Sequence, residues 1–153
     1  MYKHTQCGWV MIIAAMLIMA ADLFLIVLPS SPLVHIGPLV TVDAIIFLSV
    51  AIFMLVFFST LTVKIENGFV KLIFGIGLFR KKILIKDILS SKTARNKWWW
   101  GWGIHGTPGK GWLFNVSGLN SVELVMKNGM KYFVGTDEAE KLTQAINNAN
   151  LEA

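Results

Sequence analysis

The chain has 153 residues, 55% of them hydrophobic and only 15% charged, and its mean hydropathy is +0.62. Ordinary water-soluble domains run about 45–50% apolar and about 25% charged, so the balance excludes a typical polar globule and is opposite to that of a disordered tail. A net charge of +5 points to nucleic acid or an anionic membrane, and the single cysteine, Cys7, excludes a disulfide framework or a cysteine-built metal centre.

Residues 8–28 (GWVMIIAAMLIMAADLFLIVL) carry one charge, Asp22, and residues 39–61 (LVTVDAIIFLSVAIFMLVFFSTL) carry only Asp43. Pro29, Ser30, Ser31 and Pro32 stop any helix between them. At about 1.5 Å per residue each run matches a hydrocarbon layer of roughly 30 Å, and neither has a polar face. The expectation is a transmembrane α-helical hairpin over residues 1–61. The first run is longer than the ~7–15 apolar residues of a signal peptide, which favours an uncleaved anchor. Lys3 precedes the first run, the connector 29–38 has no charge, and every other Lys and Arg follows the second. That bias predicts a multi-pass protein of the bacterial cytoplasmic membrane, with both termini cytoplasmic and His35 in a short outer loop. Asp22 and Asp43 would lie at similar depth, either reaching headgroups and water or sharing a proton or cation.

From residue 61 the apolar period becomes two. Leu61, Val63 and Ile65 alternate with Thr62, Lys64 and Glu66, which reads as a half-buried strand. Asn67-Gly68 suits a tight hairpin, and residues 69–74 form the return strand. A turn at 75–77 leads to a basic strand over 79–85, and 88–95 is a weaker candidate. After a Gly/Trp-rich interruption, 113–116, 122–127 and 130–134 complete seven strands, the last two joined at Asn128-Gly129. Short connections predict antiparallel pairing throughout. At the end, Asp137 with Glu140 resembles a capping box, with Thr136 as the other cap candidate. Ala139, Leu142, Ile146 and Ala149 then form one apolar stripe at helical spacing, so a closing helix should pack on the sheet.

The order of elements and three stretches, FGIGLFRKKILIKDI, NKWWWGWGIHGTPGKGWLFNVSG and VELVMKNGMKYFVGTDEAEKLTQAI, resemble the bacterial pleckstrin-homology-like membrane proteins, in which such a domain follows a transmembrane hairpin. The resemblance implies that residues 62–153 form a mainly-β split barrel of about seven antiparallel strands capped by the C-terminal helix. It implies no catalytic residue. His105 stands where the family would have a basic residue.

Five of the six tryptophans, Trp98, Trp99, Trp100, Trp102 and Trp112, lie in one glycine-rich stretch around His105. An indole has an apolar ring and one donor, so it favours sites dry at one end and wet at the other. Three roles stay open for the cluster: a lid over the barrel, rings docked in a headgroup layer, or a surface for a protein or small ligand. Arg80, Lys81 and Lys82 are candidate headgroup contacts, set against the plainer reading of a solvated basic strand face. Bunched rings in one loop do not match the spread aromatics of single-strand binders, so no nucleic-acid partner is expected. No phosphate loop, HExxH or serine elbow is present, so no cofactor, metal or catalytic residue is assigned. The chain reads as a non-enzymatic membrane-anchored binding or scaffolding module that engages membrane lipid or a membrane protein. An accessory subunit of a larger membrane complex, packed through small residues of the two runs, is the first alternative, and a small membrane enzyme or ion-handling protein using Asp22/Asp43 or His105 is the second; a homo-oligomer stays open as a partner.

Overall fold

The computed structural model describes residues 2–27, 38–109 and 111–151, with side chains described for all of these except 25–27 and 38–41. The 29–37 connector with His35, and Lys110, lie outside the described residues. In chain order the elements are β1 (Tyr2–Cys7), α1 (Trp9–Val27), α2 (Pro38–Phe58), β2 (Thr60–Glu66), β3 (Phe69–Phe74), β4 (Phe79–Leu84), β5 (Ile88–Arg95), β6 (Gly103–Thr107), β7 (Gly111–Asn115), β8 (Asn120–Met126), β9 (Lys131–Gly135) and α3 (Ala139–Leu151).

The transmembrane hairpin expected over 8–28 and 39–61 is corrected. Among the described residues no helix is long and apolar enough to cross a membrane. The multi-pass placement with both termini cytoplasmic rested on those spans and falls with them. The two helices pack against each other, and the small side chains Ala15 and Ala51 are fully buried. Large apolar side chains along both helices, Leu17, Leu23, Ile45 and Ile46 among them, remain exposed.

The expected seven-stranded antiparallel barrel is also corrected. Among the described residues nine strands form two sheets, ordered β1-β2-β3-β4 and β5-β8-β9-β7-β6. The two strands missing from the sequence reading are edges. β1 pairs antiparallel with β2, from Tyr2 opposite Ile65 to Cys7 opposite Thr60, and buries only Gln6. β6 is the glycine-rich GIHGT, paired with β7. Edge strands held by backbone hydrogen bonds need no apolar alternation, so period two does not reveal them. One pairing is parallel: β7 runs alongside β9, Leu113 opposite Phe133. The chain reverses into β8 and again into β9, and β9 slots between β8 and β7, which leaves β7 and β9 pointing the same way.

The sheets face each other over one core that takes Leu61, Val63, Leu72 and Phe74 from the first and Phe114, Val122, Leu124 and Val134 from the second. α3 covers β5 and β8, inserting Leu142 and Ile146. The Asn67-Gly68 turn takes φ of 52° and 74°, the geometry of a two-residue hairpin. The β3–β4 turn lies so tightly against the end of α2 that a Cβ at Gly75 would collide with the Val56 carbonyl oxygen. Rings tie the same junction, Phe57 to Phe79 at 5.4 Å and Phe58 to Phe74 at 6.1 Å.

Candidate binding surface

Strand alternation divides the tryptophan cluster into three environments. Gly103, His105 and Thr107 of β6 share the outer face of the second sheet with Leu113 and Phe133, because register partners in a ladder point the same way. The 3-10 turn Trp98–Trp100 folds over this face. The Trp100 ring meets Phe133 edge-on at 5.3 Å, and Leu113 beneath is fully buried. Trp102 donates from Nε1 to the Gly118 carbonyl at 3.0 Å, an oxygen that also accepts from Asn115 Nδ2 at 3.0 Å. Trp100 and Trp102 are therefore structural cover. His105 is half-buried on the same face, its Nε2 enclosed and without a hydrogen-bond partner among the described residues.

Trp98 and Trp99 are different. They are 71% and 62% exposed, stand edge to face with centroids 6.0 Å apart, and the Lys97 ammonium sits 5.1 Å over the Trp99 ring. Two solvated indoles and a cation form an amphipathic tip. A 3-10 turn displays them because the glycine after Trp100 takes φ of 70°, a left-handed geometry that a side chain would strain.

Trp112 points the other way. With Phe114 and Tyr132 it is on the inner side of the second sheet, facing β4. The β4 edge stands off from this side and leaves a groove of about 350 Å³ lined by Phe79, Lys81, Trp112 and Tyr132 among others. Of the three expected headgroup residues, Arg80 and Lys81 line it and Lys82 does not; Lys82 lies opposite Lys71 in the β3–β4 ladder. Alternation places Lys81 between Phe79 and Ile83 on the core-facing side, and its ammonium rests 5.4 Å from the Tyr132 ring centroid. Arg80 donates from Nε to the Gly77 carbonyl. Sequence reasoning missed Phe79, Met130 and Tyr132 as walls. The phase of β4 was the available signal, since an inward lysine between two inward apolar residues marks an opening in a core.

Two charged clusters brace the fold. His4 on β1 presents Nε2 to Asp137 and Nδ1 to Glu138 at 3.3 Å, clasping the first strand to the start of α3. Burial, reinforced by Glu138 and Asp137, pushes the neighbouring Tyr2 phenol up to about 12. On the outer face of β8, burial would raise the Glu123 carboxyl, but Lys131 and Lys92 outweigh it and hold it below its usual value.

The helix carboxylates do not form a matched pair: Asp22 is buried and Asp43 is exposed. Among the described residues no group of three His, Cys, Asp or Glu side chains is placed to hold a metal ion. No protein-family model and no curated protein matches the chain. A mainly-β domain with a closing helix is common to several folds, so the likeness to the pleckstrin-homology-like proteins rests on the sequence stretches alone.

Proposed function

We propose that the protein is a non-enzymatic binding module that seats on a lipid surface. The carrying observation is the tip of Lys97, Trp98 and Trp99. Exposed indoles cost solvation in water and fit an interface that is apolar on one side and wet on the other, while an ammonium beside them meets anionic headgroups. The outward apolar side chains of α1 and α2 support the same reading, because contiguous exposed apolar surface of this kind marks an interaction site. A membrane protein partner is the second reading, favoured by those helix faces.

The test uses the full chain added to vesicles of phosphatidylcholine and phosphatidylglycerol in which part of the phosphatidylcholine carries bromine on its acyl chains. Trp98→Phe and Trp99→Phe, made singly and together, isolate the emission quenched at the tip. Quenching that disappears in the double variant supports the proposal. Equal quenching in the double variant and the wild type refutes it and leaves the protein partner as the better reading.

A further inference from the structure

The groove between β4 and the inner side of β7 and β9 is built independently of the aromatic tip. Its volume of about 350 Å³ lies at the small end of ligand clefts, which run roughly 300–1,000 Å³. That suits one hydrocarbon chain better than two. Its walls are apolar and aromatic: Phe74 and Phe114 form the deep end, their rings 6.3 Å apart, and Phe79 and Trp112 stand partly exposed at the mouth. Met130 adds a side chain that adapts to irregular shapes.

Among the described residues the only charges in the lining are positive. Arg80 and Lys81 are both there, no lining residue is acidic, and among the described residues neither cation lies in an ion pair. Alternation puts Arg80 on the face opposite Lys81, where its guanidinium turns back to the Gly77 carbonyl beside Ile73, so the ammonium of Lys81 is the cation that faces the groove. The Tyr132 ring holds the Lys81 ammonium at the mouth. Among the described residues the neutral hydrogen-bonding side chains of the lining are Tyr132 and Trp112, each with a single N–H or O–H, so a compact anionic head is matched and a large polar head is not.

We propose that this groove binds a free fatty carboxylate, its chain laid against Phe74, Phe114 and Met130 and its head on Lys81. The site needs no contact between the aromatic tip and a lipid surface, so it stands or falls separately from the docking reading.

The probe is 9,10-dibromostearate, titrated into the full chain held in a neutral maltoside detergent, with indole emission as the readout. Saturable quenching is expected, and the saturable part should vanish in Trp112→Phe. Lys81→Gln should weaken it at least tenfold while Arg80→Gln leaves it near wild type, and the methyl ester of the same acid should give no saturable phase. Met130→Trp, which fills the groove from the side, should abolish binding while leaving the far-ultraviolet circular dichroism melt near that of wild type. Several results would overturn the site: saturation by acid and ester alike, retained saturable quenching in Trp112→Phe, wild-type affinity in Lys81→Gln, or displacement of the probe by dioleoylphosphatidylglycerol at equal concentration.

Discussion

Glu123→Gln removes one charge and almost no volume, so it isolates the ion cluster on the outer face of β8. The Glu123 side chain is only 8% exposed, with Lys92 Nζ 3.1 Å from one oxygen and Lys131 Nζ 2.9 Å from the other. The lysine side chains are 67% and 43% exposed, so water screens both partners and each pair is discounted toward the surface range. Two charge-assisted contacts of this kind amount to about 1–2 kcal/mol together. For a chain of this size that is a fall of roughly 3–6 °C in the melting midpoint at pH 7. The folded carboxyl titrates below its ordinary value of 4.5. Its stabilisation is therefore complete above that value and is lost as pH falls through the lower, folded one. Melts of wild type and variant followed by circular dichroism from pH 7 down to pH 3 should show a gap that closes at the acid end. A gap that is absent at pH 7, or unchanged at pH 3, refutes the account. Lys92→Met and Lys131→Met should each reproduce about half of the loss.

The Tyr2 phenol, pushed up to about 12, should give a late phase in absorbance at 295 nm, and Tyr2→Phe should remove that phase. Because an unfolded tyrosine ionises near 10, burial of the neutral phenol stabilises the fold below about pH 10 and loses that contribution as pH climbs toward 12. Tyr2→Phe should correspondingly flatten the alkaline fall in melting midpoint. Trp100→Ala should cost about 2 kcal/mol, since it strips the ring from Phe133 and uncovers Leu113; Trp98→Ala should cost under about 0.5 kcal/mol. Equal losses in thermal melts would contradict the division of the cluster into cover and tip. Gly135→Ala drives a methyl into the Asn115 side chain and should cost about 1–3 kcal/mol, read as a lowered melting midpoint with the same far-ultraviolet spectrum.

The central strands and the last helix were legible because their signals are local. Alternation at Leu61, Val63 and Ile65, the Asn67-Gly68 turn, and the stripe of Leu142 and Ile146 each fix a face within a few residues. The positions of β2, β3 and α3 follow closely from these. The apolar runs were legible as helices for the same reason, but apolar composition does not say what covers a helix, and the inference to a bilayer crossing went further than the described residues support. β1 and β6 were invisible because their sequences, YKHTQC and GIHGT, carry no apolar period. Their order comes from the neighbouring strand's backbone.

The tertiary structure alone decided how the tryptophans and basic residues divide. In the sequence Trp98, Trp100 and Trp112 belong to one stretch, and Arg80, Lys81 and Lys82 to one run. In the fold an exposed turn, an outer sheet face and an inner groove separate the first three, and the pleat of β4 turns Lys81 inward. Sequence fixes which side chains are available and the period on which they repeat. Which of them meet depends on pairing across the sheets, as when β9 comes to lie between β7 and β8, and distances of that kind are set by long-range packing rather than by neighbours along the chain.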